Sequence, residues 1–308
     1  TATTGNMTQS GALDIEGTTT LITSADDATI ALNTTTNAFT GALLITTNDS
    51  GTDTAGDVSI HGGTTALVLG ASTIDGDLTL TSAATGTAGM TDNGTLDIRG
   101  TTTISASGVD VTLNSAANNF QGAVAIDGVN VTVVDADNIM LAASTATGNY
   151  TLTAGGLVED DNSGALAITG VTTIDAGGNV VLDIATNNFQ GAVKIDGVNV
   201  TVVDAGAIEL GASTVTGTYA VTATAGGDIT NTGVLTITGA ATFKAASGQS
   251  IYLNESNTFS STVAFTTPSG NLANVTVRNT TDFDLVALTL SGNLIVTSTG
   301  GSITDDGA

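Results

Sequence analysis

The chain has 308 residues, with 39 glycines, one proline, no cysteine and only 3% aromatic residues. That composition excludes collagen, Pro-rich linkers, disulfide frameworks, iron–sulfur clusters and Cys-ligated zinc, and it implies a narrow interior with few bulky side chains. Twenty-nine acidic residues against four basic ones (Arg99, Lys194, Lys244 and Arg278) give a formal charge of −25, which excludes nucleic acid and anionic membrane surfaces as partners because both need clustered Lys and Arg. No apolar run approaches the roughly 20 residues of a membrane helix.

Read from the N-terminus, one sentence recurs. GALDIEGTTT begins at Gly11, GTLDIRGTTT at Gly94, GALAITGVTT at Gly164 and GVLTITGAAT at Gly233, in steps of 83, 70 and 69 residues. The Phe of NAF, NNF, NNF and NTF follows at Phe39, Phe120, Phe189 and Phe259, in steps of 81, 69 and 70. A third marker, LGASTIDG, LAASTATG, LGASTVTG and LVALTLSG, begins at Leu69, Leu141, Leu210 and Leu285. Three markers on one period define a repeat of about 70 residues. The first copy is longer by about a dozen residues, and the excess is expected in TTNDSGTDTAGD, Thr46 to Asp57. Approximate repeat bounds are 5–85, 86–155, 156–227 and 228–301, with a further start at 302–308. The stretches Asn118–Ala136 and Asn187–Ala205 differ only at Ala125 against Lys194.

Inside each repeat the period is two. Val193 and Ile195 flank Lys194, while Val198, Val200 and Val202 alternate with Asn199 and Thr201, the signature of strands with one buried face. Gly, Asn and Asp interrupt these strands at turn spacing, and no stretch holds a 3.6-residue apolar period. Without helices for crossovers, short parallel strands can stack only by coiling. The expected fold is therefore all-β, a single right-handed parallel β-solenoid over 1–308, with about three coils in each repeat and the Phe series filling a corner of the core. About 13 coils at roughly 4.8 Å would span on the order of 60 Å. Asn118, Asn119, Asn187 and Asn188 are expected to cap turns or form short amide ladders. The opening TATTGNMTQSGALDI and the closing GSITDDGA both fall inside a repeat. The chain is thus expected to be a window of a longer solenoid, or a unit covered by copies of itself.

The patterns GALAITGVTTI, NNFQGAV and GGDITNTG resemble the β-strand repeats of filamentous-haemagglutinin-like exoproteins and other giant bacterial surface adhesins. The resemblance covers essentially the whole chain. It implies an elongated β-helical shaft on the bacterial cell surface, serving adhesion, aggregation or fibre formation. The partners it implies are copies of the chain itself, surface glycans or receptors on neighbouring cells.

Catalytic residues are not identified, and the expected protein is not an enzyme. The acid pairs Asp26–Asp27, Asp160–Asp161 and Asp305–Asp306 lie in turn-like sequence, and His61 has no nucleophile motif beside it. No cofactor is required. Calcium is the candidate cation, with oxygens offered by Asp49, Asp53 and Asp57, by Asp135 and Asp137, and by Glu159, Asp160 and Asp161. The alternative functions are a glycan-binding or glycan-cleaving β-helix, for which Tyr150 and Tyr219 at matching repeat positions are the hint, and an ice- or lattice-binding solenoid, for which Thr79-Leu80-Thr81 and Thr151-Leu152-Thr153 are the hint.

Overall fold

Alternation with a period of two leaves each strand one apolar face, and a strand three to five residues long cannot bury that face alone. A computed structural model describes residues 1–48, 50–51, 55–86 and 89–305. Among them every ordered element is a strand and every strand pairing is parallel, so that the chain coils as a β-solenoid of about 13 turns. It divides into two compact units, Thr1–Gly155 and Gly156–Ala308.

In the first unit, one sheet stacks Met7–Thr8, Ile30–Leu32, Val58–His61, Leu78–Thr81, Thr102–Ser105 and Val124–Gly128 in that order. The second stacks Thr19–Ile22, Leu43–Thr46, Leu67–Leu69, Met90–Asp92, Val111–Leu113, Val131–Asp135 and Tyr150–Ala154. The other unit is built alike. One of its sheets runs Val158–Asp160, Val180–Leu182, Val200–Asp204, Tyr219–Ala223, Ala241–Ala245 and Val263–Thr266. Its second runs Thr172–Ala176, Val193–Asp196, Ile208–Leu210, Ile229–Asn231, Ile251–Phe259, Val275–Asn279 and Leu294–Ser298.

The advance from coil to coil varies from 17 residues (Val124 to Leu141) to 28 (Ile30 to Val58). The longest step contains the insertion anticipated at Thr46 to Asp57. Variation is absorbed at the corners, because the strand register must keep inward side chains inward. Ile30, Val58, Leu78, Thr102 and Val124 form one buried column, and Leu32, Ile60, Leu80, Ile104 and Ile126 form the next. Phe39, Phe120, Phe189 and Phe259 are all buried, as their spacing suggested. Val198 is the exception to the alternation. It sits in the turn before Val200–Asp204 and is exposed, so the buried series begins at Val200.

The expectation of three coils per repeat is met to within half a turn, and the half turn matters. From Met90 to Ala154 the chain makes seven passes: Met90–Asp92 with Leu96–Ile98, Thr102–Ser105, Val111–Leu113 with Asn119–Phe120, Val124–Gly128, Val131–Asp135, Ile139–Leu141 with Ser144–Ala146, and Tyr150–Ala154. Two passes make one coil, so a repeat is three and a half coils. Equivalent strands of successive repeats therefore lie on opposite sheets within a unit. Thr19–Ile22 belongs to the second sheet of the first unit, and its repeat equivalent Thr102–Ser105 belongs to the first. Thr172–Ala176 and Ala241–Ala245 are exchanged in the same way in the other unit.

Coils also approach too closely for side chains at one corner. A Cβ on Gly122 would lie 2.3 Å from the Gly100 carbonyl oxygen, and one on Gly100 would lie 2.5 Å from the Gly76 carbonyl carbon. Only glycine fits such a stack, whatever its backbone angles. Gly122→Ala is expected to lower stability by about 1–3 kcal/mol, measured by denaturant unfolding, whereas Ala125→Lys, which copies the third repeat at a half-buried outward position, should be within about 0.5 kcal/mol of the parent.

Candidate functional site

Where a pass breaks into two short strands, the backbone leaves the ladder at a corner, and its N–H groups need other acceptors. A buried Asn supplies one in every repeat. The side-chain oxygens of Asn37, Asn118, Asn187 and Asn257 accept the N–H of Leu13, Leu96, Leu166 and Leu235 at 3.0, 2.8, 2.8 and 2.9 Å. Their amide groups donate onward. Asn118 Nδ2 reaches Asp92 Oδ2 at 2.7 Å and Asn187 Nδ2 reaches Asp160 Oδ2 at 3.2 Å. Asn37 Nδ2 donates to Gln9 Oε1, and in the fourth repeat Asn231 Nδ2 donates to the oxygen of Asn257.

A second acceptor holds the Phe of the same motif. Phe120 N–H donates to Asp135 Oδ2 at 2.7 Å, Phe189 N–H to Asp204 Oδ2 at 2.7 Å, and Phe259 N–H to Asn279 Oδ1 at 2.8 Å. The remaining oxygens of Asp135 and Asp204 accept the N–H two residues on, from Asp137 and Gly206. Asp135 is 2% exposed and Asp204 is 0% exposed. Burial pushes both carboxyls above their ordinary range, against the opposing pull of these N–H donors. Asp160 is raised too, chiefly by burial, although Ile184 N–H and Asn187 Nδ2 both donate to it.

The described calcium candidates are engaged as follows. Asp135 and Asp160 have their oxygens turned inward onto the chain's own donors. Asp57 is exposed, and its Oδ1 accepts Asp77 N–H at 2.9 Å. Asp161 caps Ser163 through N–H and Oγ at 2.8 and 2.6 Å. Asp137 is exposed and Glu159 half-buried on an outward position. Asp49 and Asp53 lie outside the described residues. Among the described residues no group of three or more His, Asp or Glu side chains gathers into a metal-holding cluster.

The glycan hint fares differently from its expectation. Tyr150 and Tyr219 are 1% exposed, inside the core rather than on a groove. Burial raises both phenols; the Tyr150 hydroxyl has no hydrogen-bond partner among the described residues, while the Tyr219 hydroxyl lies beside Ser213, which opposes the rise. A further side-chain series runs at another corner: Asp110 Oδ1 accepts from Asn130 N and Nδ2, and Asn130 Oδ1 accepts Asn149 N–H at 2.9 Å. Sequence reasoning passed over Asp92, Asn257 and Asn279. Their signal was positional, since Asp92 precedes the repeat glycine by two residues and Asn279 closes the strand equivalent to VTVVD.

Outward rows carry hydroxyls. Thr91, Thr112, Thr132 and Thr151 stand in direct register on four successive coils of the first unit. They come from four different places in the repeat, which is why no repeat-length comparison could reveal them.

This solenoid of corner-capped coils belongs to a family of repeat proteins. The chain matches the family described as repeats of unknown function (DUF5649) over residues 1–46, 55–127, 128–196, 197–266 and 272–308, so it is a member of that family. No curated protein and no solved structure matches it.

The repeated acceptors make a pH prediction. For Asp135, Asp160 and Asp204 the folded carboxyl binds its proton more tightly than the unfolded one. Their contribution is therefore full below the ordinary carboxylate pKa and is lost as pH rises through the raised values. Thermal unfolding should show higher stability at pH 4 than at pH 7. Asp135→Asn together with Asp204→Asn, which copy the natural Asn279, should flatten that slope, while Asp135→Ala should cost about 1–3 kcal/mol by orphaning Phe120 N–H.

Proposed function

We propose that the chain is a structural segment, a shaft or filament element, of a secreted bacterial cell-surface protein serving adhesion, aggregation or extracellular fibre formation. One observation supports this reading above the others: the polar side chains that recur with the repeat are hydrogen-bonded to the chain's own backbone from coil to coil. Residues conserved from copy to copy in this way do scaffold work. Such a scaffold turns each added repeat into three and a half further coils without changing its cross-section. The outward acids keep it dispersed by self-repulsion, and divalent cations would relieve that repulsion without dedicated ligands. Surface placement follows from the resemblance to β-strand-repeat adhesins.

A second reading has its own support. The in-register row of Thr91, Thr112, Thr132 and Thr151 spaces hydroxyls at the roughly 4.8 Å coil repeat, a spacing suited to an ordered lattice such as ice.

Electron microscopy of the chain in calcium and then in chelator tests the first reading. The expected result is elongated particles under both conditions, with fibre diffraction near 4.8 Å along the long axis; compact particles would overturn it. Suppression of ice recrystallisation, lost in Thr112→Lys with Thr132→Lys, would select the second.

A further inference from the structure

All seven phenylalanines are buried, as are Tyr150 and Tyr219, and Tyr252 is the one aromatic side chain that faces outward. It is half-buried on the strand Ile251–Phe259, between the inward residues Ile251 and Leu253. In direct register it stands between Thr230 and Thr276, with Glu209 one coil beyond Thr230. A hydroxyl therefore borders the ring on each side along the coil axis. The same position in the first three repeats is held by Ala31, Thr112 and Val181.

The repeat departs from its pattern around this ring. The step from the strand leucine to the motif Phe is 7 residues in Leu32–Phe39, Leu113–Phe120 and Leu182–Phe189, but 6 in Leu253–Phe259. With one residue fewer the pass does not break into two short strands. It continues as one strand of 9 residues, whose register against Val275–Asn279 slips between Leu253 and Asn257. The slip sets the exposed Asn254 and Glu255 opposite the exposed Arg278, which stands where the second and third repeats have Val134 and Val203. Among the described residues the side chains of Asn254, Glu255 and Arg278 make no hydrogen bond or ion pair. Arg99 and Lys194, by contrast, lie 3.5 and 3.6 Å from Asp75 and Asp196. The polar groups that recur with the repeat are taken up by the backbone of neighbouring coils. These three do not recur, and they are left free beside an outward ring.

We propose that this face binds a neutral glycan, with one pyranose stacked on the Tyr252 ring. A pyranose has an apolar C–H face and a rim of hydroxyls. Tyrosine meets the first with a rigid ring that carries a polar tip. Asn254, Glu255 and Arg278 meet the second with planar donors and acceptors. Thr230 and Thr276 continue the row at roughly the 4.8 Å coil spacing, so an extended glycan lies along the coil axis. The formal charge of −25, with Glu209 and Glu255 close by, disfavours uronate- or sulfate-bearing chains. Each strand of this face, from Ile208–Leu210 to Val275–Asn279, is paired on both sides. The inference goes beyond the shaft reading and does not depend on it.

A glycan array probed with the full chain tests the proposal, followed by titration of the neutral oligosaccharide it retains best. The chain has no tryptophan, so its ultraviolet fluorescence comes from tyrosine, and only Tyr252 is open to a collisional quencher such as acrylamide. Bound glycan should shield that fluorescence. Tyr252→Thr, which copies Thr112, should weaken binding by about tenfold, and Arg278→Val, which copies Val134, by about fivefold. Tyr252→Phe keeps the stacking ring and should stay within about threefold of the parent. All three are outward changes, so circular dichroism and Tm should match the parent. Retention of no neutral glycan, retention of anionic glycans alone, or parental affinity in both Tyr252→Thr and Arg278→Val would overturn the proposal.

Discussion

Parallel hydrogen bonding from each coil to the next, in strict register, is the constraint from which the rest of this structure follows. A strand of three to five residues has too little apolar surface to hold itself, and a parallel pairing has no tight turn to organise it. Repetition solves both problems. Each coil presents the same backbone edge to the next, and columns such as Ile30–Val58–Leu78 and Val158–Val180–Val200 bury their side chains by stacking like on like. The variable steps between coils are tolerated because register is held within the strands and slack is confined to the corners.

At those corners the backbone cannot continue the ladder, and the chain substitutes side chains for it. Asn118 and Asn187 accept from Leu96 and Leu166, and Asp135 and Asp204 accept from Phe120 and Phe189. An acceptor with two oxygens can hold the Phe N–H and its own local turn at once, which explains a carboxylate where burial opposes it. Asn279 shows that an amide serves in the same place, with its Nδ2 turned to the carbonyl of Asp282 instead. Acceptors of this kind are not confined to the interior: the exposed Asp57 and Asp110 also take a backbone N–H from the next coil, from Asp77 and Asn130.

The odd number of passes per repeat has a consequence for the surface. Because successive repeats exchange sheets within a unit, both sheets receive the same outward chemistry in alternation, and rows of like residues form from unlike repeat positions. The Thr91–Thr112–Thr132–Thr151 row lies within a single repeat, where it joins the first, third, fifth and seventh passes. A repeat with an even number of passes would have segregated its chemistry, one sheet differing from the other throughout.

Much of this was legible in the residues. The repeat length, the parallel β-solenoid, the buried Phe series and the position of the longer step came from spacing and alternation, because a strand's period of two and a turn's need for Gly, Asn or Asp are local rules. Val198 escaped them, since alternation continues into a turn that no longer faces the core. The half coil could not be read, because a one-dimensional period counts residues and not passes, and the choice between three and three and a half coils depends on which strands meet across corners of unequal length. The same limit applies to Asp135, Asp160, Tyr150 and Tyr219. In the sequence they are acids beside turns and aromatics at matching positions. Only the stacking decides that the acids turn inward onto backbone donors and that the tyrosines lie in the core, because burial is a property of the neighbouring coil and not of the residue.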